Sequence, residues 1–246
     1  MLRRTVLGMA LTLALASGEP AWAGDKPPVL VELYTSQGSS SCPAADVYLA
    51  DLVKRKDVIA LSFHVNYWDY LGWKDTFASE RNAWRQRAYA KALGERSVYT
   101  PQIVVNGTAH EVGSRRDAVD ALIAKVSMVS RNKPKPSLTL APAAGETLAV
   151  TLTDVSEATH GTVWLERFDR VREISIDRGE NAGRTLLYHN VVADFRRIGE
   201  WTGGRLELTL GLSDLREGGR DGVAVFVQES SLGRVLAVAT HDIRPR

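Results

Sequence analysis

The run Thr35-Ser36-Gln37-Gly38-Ser39-Ser40-Ser41-Cys42-Pro43 joins a predicted strand to a predicted helix. Before it, Val29 to Tyr34 is apolar and β-prone, which predicts a buried strand. Pro43 suits the first turn of a helix, where its missing N–H matters least, so a helix is expected from Ala44 to Arg55. The run therefore places Cys42, the single cysteine of the chain, at a strand-to-helix junction.

The residues that follow continue the alternation of strands and helices. The expected elements are a strand at 58–65, a helix at 79–93, strands at 102–105 and 108–112, and a helix after Ser114. Asn106-Gly107 is a strong hairpin signal between the last two strands. The order β-α-β-α-β-β-α predicts that the first two strands are parallel and that the closing hairpin is antiparallel to them.

The second half of the chain has a different pattern. Residues 131–136 are polar and proline-spaced, which predicts a linker. Short strand candidates follow at 148–152, 163–168, 171–176, 185–192, 206–212, 223–227 and 235–239. Roughly seven short strands at this spacing are typical of an antiparallel sandwich. We therefore expect an α/β domain at 27–130 and an all-β, sandwich-like domain at 137–246.

The first 23 residues have the pattern of a signal peptide. Arg3 and Arg4 precede an apolar run from Val6 to Ala16, and Ala21-Trp22-Ala23 predicts cleavage after Ala23. The apolar run is too short to span a bilayer, so no membrane span is expected after cleavage. The protein is expected to be periplasmic or secreted. Both the Sec and the twin-arginine export routes fit the paired arginines.

The charge and the cysteine content of the chain limit which classes of function it can have. The formal net charge is +2 and no basic block stands out, which argues against a nucleic-acid partner. One cysteine cannot form an internal disulfide, so Cys42 is either a free thiol or half of an intermolecular pair. The five histidines have no metal-ligand spacing with each other or with Cys42. We therefore expect neither a metal nor a cofactor.

Four segments carry a resemblance to a known family, at residues 31–38, 67–75, 96–102 and 178–184. Together they resemble a family of exported bacterial thioredoxin-like proteins of unknown function. The resemblance implies a thioredoxin-like α/β domain followed by a C-terminal β domain. Most members carry Cys-Ser-Ser-Cys-Pro at the junction, whereas this chain has Ser39 in place of the first cysteine. The resemblance also implies a cis peptide bond at Thr100-Pro101, beside a groove for an extended substrate.

Cys42 and Ser39 are the candidate catalytic positions. A helix N-terminus favours an anion and can lower the pKa of a thiol, which would make Cys42 reactive. The alternative interpretation is that Cys42 is a small packed residue without a redox role. Ser39 forms no disulfide, so dithiol catalysis is not expected. The three serines before Cys42 either cap the helix or form an anion site.

Two further groups of residues are candidates for binding. Thr100 and Pro101 would form the floor of the substrate groove, and Trp68 and Tyr70 either wall this groove or belong to the core. The segment Arg178-Gly179-Glu180-Asn181 fits a tight turn. Alternatively, Arg178, Glu180 and Asn181 reach from the second domain towards Cys42 and line an interdomain cleft.

The sequence leaves two functional hypotheses. The first is a thiol-disulfide oxidoreductase-like protein in which Cys42 alone forms a mixed disulfide with a small thiol or a partner protein. The second is a non-catalytic binding module that holds an extended peptide of a partner beside Thr100-Pro101 by strand addition. Ser39 favours the second hypothesis, and the presence of Cys42 and Pro101 favours the first.

Overall fold

The computed structural model describes residues 27–131, 136–154 and 160–245. The predicted signal peptide and most of the predicted linker lie outside these ranges. Within them, none of the helices combines the length and the apolar character that a membrane crossing requires.

The first half of the chain has the predicted order of elements. Its strands and helices are β1 (Val29–Thr35), α1 (Pro43–Leu52), β2 (Val58–His64), α2 (Glu80–Leu93), β3 (Gln102–Val105), β4 (Ala109–Val112) and α3 (Arg116–Arg131). The strands β1 and β2 are parallel, and β3 is antiparallel to both β1 and β4. Ser79 caps α2 by accepting a hydrogen bond from Asn82 N. Local sequence signals were sufficient to predict the order of strands and helices in this half.

The second half is built on two strands much longer than predicted. Its elements are β5 (Ser137–Ala143), β6 (Thr147–Thr153), β7 (Gly161–Ile176), β8 (Arg184–Trp201), β9 (Arg205–Gly211), α4 (Leu212–Arg216), β10 (Gly222–Gln228) and β11 (Val235–Asp242). The two predicted strands at 163–168 and 171–176 are one strand, β7. It continues through Asp169 because that buried carboxylate is paired with Arg172 and Arg220.

The predicted fold class, a thioredoxin-like domain followed by a separate β-sandwich, is wrong. A single eight-stranded mixed sheet runs through both halves in the order β11-β10-β7-β8-β2-β1-β3-β4. Strand β8 lies parallel to β2, with Ser62 opposite Val191, and Asn190 Nδ2 donates to the Ala60 carbonyl at 2.9 Å. The long β7–β8 hairpin thus covers the edge of β2 that would otherwise be unpaired.

The two halves of the large sheet share one core. Leu30, Leu61 and Val104 of the first half form one buried cluster with Phe168 and Phe226 of the second half. The amide of Val235, at the start of β11, also donates to the Asn106 carbonyl at 2.9 Å. Apolar side chains from both halves therefore bury one another in this cluster.

A buried group of charged and polar side chains lies within this shared core. We call it the junction cluster, and its members are Arg85, Tyr89, Glu32, Glu166 and Gln228. Arg85 Nε donates to Glu32 Oε1 at 2.7 Å, and Tyr89 Oη donates to Glu32 Oε2 at 2.6 Å. Arg85 Nη2 donates to Gln228 Oε1 at 3.3 Å. The cluster therefore links α2 to strands from both halves of the chain.

A smaller sheet completes the second half. Strands β5, β6 and β9 form it, with β6 in the centre. Leu148, Val150 and Leu152 of β6 pack with Val163 of β7 and Val225 of β10 in a separate buried cluster. Two sheets facing each other across apolar side chains is a sandwich-like arrangement. One of its layers, however, is the end of the eight-stranded sheet.

Candidate functional site

The Cys42 turn, residues Ser36 to Pro43, lies where the parallel strands β1 and β2 end. Gly38 allows the turn to approach the loop after β2, because a Cβ atom there would lie 3.1 Å from the Trp68 carbonyl oxygen. The turn between β7 and β8 covers it from another side. The carboxyl ends of parallel strands are a common position for ligand sites.

Cys42 itself is completely buried, with 0% of its surface exposed. It occupies the N-cap position of α1. Burial raises the pKa of the Cys42 thiol, and the nearby Asp46 carboxyl raises it further. Hydrogen bonds with the side chains of Ser39, Thr100 and Thr35 act in the opposite direction but do not reverse the shift. A buried, protonated thiol is a weak nucleophile.

Beneath Cys42 lies a second buried group of polar side chains. We call it the turn cluster, and its members are Thr35, Asp46, His64 and Asp75. Thr35 Oγ1 donates to Asp46 Oδ1 at 2.8 Å. His64 Nδ1 lies 2.8 Å from Asp75 Oδ2, which also accepts the Gln37 backbone N–H at 2.8 Å.

Several buried atoms in this area lack a hydrogen-bond partner within the described residues. They are Asp46 Oδ2, His64 Nε2 and Tyr188 Oη. The rings of His64 and Tyr188 lie 4.8 Å apart. Burial raises the pKa of Asp46 to about 7, against the attraction of His64 and the Thr35 hydrogen bond. Burial lowers the pKa of His64, but Asp75 and Asp46 outweigh it and the pKa is raised.

The opposite side of the Cys42 turn faces solvent. Ser40 and Ser41 are exposed, while Ser39, where the family's first cysteine was expected, is only 5% exposed. Ser39 Oγ lies 3.0 Å from Ser41 Oγ. Ser41 Oγ also donates to the Thr100 carbonyl at 3.3 Å. The accessible hydroxyls of the turn are therefore those of Ser40 and Ser41, and not that of Ser39.

The β7–β8 turn brings two of its three predicted residues to the Cys42 turn. Glu180 Oε2 accepts hydrogen bonds from Ser40 N at 3.0 Å and from Ser40 Oγ at 2.7 Å. Asn181 is buried, and its Nδ2 donates to the carbonyls of Gln37 at 2.9 Å and Ser39 at 3.0 Å. Arg178 is exposed and has no hydrogen bond or ion pair in the described part of the chain.

The predicted groove residues also lie beside the Cys42 turn. The Thr100-Pro101 peptide bond is cis, and Pro101 is buried. Trp68 Nε1 donates to Thr100 Oγ1 at 2.8 Å. Tyr70 is 76% exposed, and its ring lies 6.1 Å from that of Trp68. Within the described ranges, no hydrogen bond uses the Thr100 N–H.

We call the part of this region nearest to solvent the outer face. It consists of the exposed residues Ser40, Ser41, Tyr70 and Glu180 and of the half-buried residues Trp68 and Thr100. The contacts from Glu180 to Ser40, from Ser41 to Thr100 and from Thr100 to Trp68 make it continuous. It combines hydroxyl groups, two aromatic rings, one carboxylate and the Thr100 N–H, which has no hydrogen-bond partner in the described ranges.

Sequence reasoning missed the turn cluster. His64 and Asp75 lie 11 residues apart, so no short motif links them. One signal was present in the sequence, because Asp46 follows Cys42 by four residues and therefore shares its helix face. Val47, the next residue of this helix, is apolar but 59% exposed. In the described ranges, no group of three or more His, Cys, Asp or Glu residues is arranged to hold a metal ion.

Comparison with known proteins identifies the family of this chain but does not identify an activity. The protein family of unknown function DUF1223 matches residues 30–228. The crystal structure of protein AGR_C_4864 from Agrobacterium tumefaciens is similar, with 28% identity and a TM-score of 0.79 over 91% of this chain and 98% of that chain. No curated protein matches the sequence. Since the family match spans most of the chain, the protein belongs to the DUF1223 family of unknown function.

Proposed function

We propose that this protein is a non-catalytic binding protein that holds an extended peptide segment of a partner protein on the outer face. We also propose that it acts after export, because residues 1–23 have the pattern of a signal peptide. The partner segment would lie along Thr100 and contact the rings of Trp68 and Tyr70.

One observation carries the proposal: the Thr100 N–H has no hydrogen-bond partner in the described ranges, and the Thr100 side chain contacts Trp68, whose ring neighbours the largely exposed Tyr70. An extended chain can accept a hydrogen bond from that N–H, and its side chains can pack on the rings. Exposed tyrosine and tryptophan side chains are enriched among residues that dominate protein interfaces. Tyr70, with 76% of its surface exposed, is available for this role.

Monothiol exchange at Cys42 is the alternative proposal. In this interpretation the chain is a relative of thiol-disulfide oxidoreductases in which Ser39 replaces the first cysteine. Cys42 would attack an oxidised small thiol and form a mixed disulfide, releasing one thiol as the leaving group. Complete burial and a raised pKa give no support to this reaction. The geometry therefore favours binding.

A selection experiment tests the binding proposal. The mature protein is immobilised and used to select a phage-displayed library of random dodecapeptides, and the enriched peptides are synthesised. N-methylation of single backbone amides should abolish binding at alternate positions, as strand addition requires. Failure to select any peptide, or selected peptides that bind Tyr70→Ala and wild-type protein equally, would contradict the proposal.

The thiol alternative has its own test. The folded protein and the urea-unfolded chain are each incubated with oxidised glutathione, and the adduct on Cys42 is measured by mass spectrometry. We expect the unfolded chain to form the adduct and the folded protein to remain unmodified. Formation of the adduct at comparable rates in both would support monothiol chemistry instead.

A further inference from the structure

Glu180 presents a fixed carboxylate on the outer face. Its Oε2 accepts two hydrogen bonds from Ser40, and these bonds lower the pKa of the Glu180 carboxyl. The other oxygen, Oε1, has no hydrogen bond or ion pair within the described residues. A negative charge is thus held in one orientation, with one oxygen open to solvent.

No basic side chain of the described residues pairs with this carboxylate. Arg178 lies two residues before Glu180, but in the described part of the chain it does not pair with this carboxylate. Several other exposed carboxylates of the described residues are paired with a nearby basic side chain, as Asp51 is with Lys54 and Asp242 with Arg244. An oriented carboxylate that lacks such a partner can take a cation from another molecule.

The aromatic side chains of the outer face, Trp68 and Tyr70, also favour a cationic group. Tyr70 and Trp68 present neighbouring rings, with centroids 6.1 Å apart, and Tyr70 is mostly exposed. Ring faces bind ammonium and guanidinium groups through their quadrupole. The Cys42 turn connects the two sides, since Gly38 lies against Trp68 and Ser40 binds Glu180.

We infer that the outer face selects an extended peptide that carries a lysine or arginine side chain, which Glu180 and the Tyr70–Trp68 rings recognise. This inference rests on the proposed function and adds the chemistry of the partner. The peptide backbone would pair with the Thr100 N–H, and a basic side chain would contact both the Glu180 carboxylate and the Tyr70–Trp68 rings. Acidic segments would be disfavoured, because Glu180 repels them.

The selected dodecapeptides provide the test. We expect lysine or arginine to be enriched at one fixed position relative to the unselected library. Replacing that residue by norleucine, which keeps the aliphatic chain and removes the charge, should weaken binding about fivefold, as for an exposed charge pair with a cation–π contact. Glu180→Gln should weaken binding of the basic peptide about threefold and leave the norleucine peptide unaffected.

Glu207→Gln is the matched control, because Glu207 is an exposed carboxylate on β9 that is already paired with Arg205. It should leave both affinities unchanged. Selected peptides that bind without enrichment of a basic residue, or that tolerate norleucine without loss, would overturn this inference while the proposed function stands. Absence of any peptide dependent on Tyr70 would instead overturn the proposed function itself.

Discussion

The junction cluster and the turn cluster both bury charged groups, but they differ in the nature of the cation. In the junction cluster the cation is Arg85, which stays protonated at every relevant pH. In the turn cluster it is His64, whose charge changes near neutral pH. The first cluster lies in the core shared by the two halves, whereas the second lies directly beneath the Cys42 turn.

This difference gives the two clusters different roles: the junction cluster mainly stabilises the fold, and the turn cluster makes stability depend on pH. Arg85 pairs with Glu32 in the core, and this pair contributes to holding α2 against strands of both halves. The turn cluster contains two groups whose pKa values are raised, Asp46 and His64, so its contribution to stability should depend on pH. The predictions below test this contrast, starting with the largest expected effect.

Removing the fixed cation should have the largest effect. Arg85→Met leaves Glu32 buried without its cation, and breaking a buried pair in this way costs about 3–5 kcal/mol. We expect the free energy of unfolding, measured in urea, to fall by this amount. Arg87→Met is the control, because Arg87 forms an exposed pair with Glu80 and should change stability by less than about 1 kcal/mol. Equal effects of the two substitutions would show that the junction cluster is not structural.

The turn cluster should make stability fall as the pH rises. The pKa of Asp46 is about 7 in the folded protein, above the value of about 3.9 for an unperturbed aspartate. The folded protein therefore binds this proton more tightly, and the stabilisation present below pH 4 is lost as the pH rises to 7. The pKa of His64 is raised as well, so its contribution is lost in the same direction, above pH 6.5.

We expect the wild-type protein to lose about 3 kcal/mol of unfolding free energy through Asp46 between acidic and neutral pH, most of it above pH 5. Asp46→Asn should remove this part of the slope between pH 5 and pH 8. Glu166, whose pKa is raised by burial in the junction cluster, remains in both proteins and cancels in the difference. Parallel stability curves for the variant and the wild type would contradict the assignment of the slope to Asp46.

Asn181 should have a smaller effect, confined to the turn. Its side chain donates to two buried carbonyls of the Cys42 turn, so Asn181→Ala should cost about 1–3 kcal/mol. Amide hydrogen exchange should accelerate at residues 37–42 and remain unchanged in β1. The control is Asn66→Ala, because Asn66 binds the exposed Glu80 side chain. If exchange in the turn is unaltered, the β7–β8 turn does not secure it.

Sequence patterns predicted the fold only where the interactions are local. The order from β1 to α3 followed from apolar periodicity, Ser79 as a cap and the Asn106-Gly107 turn. The pairing of β8 with β2 depends on residues about 130 apart, such as Ser62 and Val191, and no local pattern encodes it. Likewise, the polar residue Asp169 suggested a break that two arginine partners prevent.

For the site, sequence reasoning identified the Cys42 turn and its neighbours better than the buried charges beneath them. Trp68, Thr100 and Glu180 were singled out, and the structure places each of them at the Cys42 turn. Glu32 and Asp46 interrupt apolar stretches and so gave a signal of buried charge. The ion-pair partner of Glu32, Arg85, and the charge that acts on Asp46, His64, could not be assigned because both arrangements depend on how the helices pack on the sheet.

The most direct test of the proposed function compares two variants, Cys42→Ala and Tyr70→Ala, for affinity towards one selected peptide by isothermal titration calorimetry. We predict that Cys42→Ala binds within about twofold of the wild type, whereas Tyr70→Ala binds about fivefold more weakly, because binding uses the ring and not the thiol. Loss of affinity in Cys42→Ala with full affinity in Tyr70→Ala would contradict the proposal and return the thiol to the centre of the function.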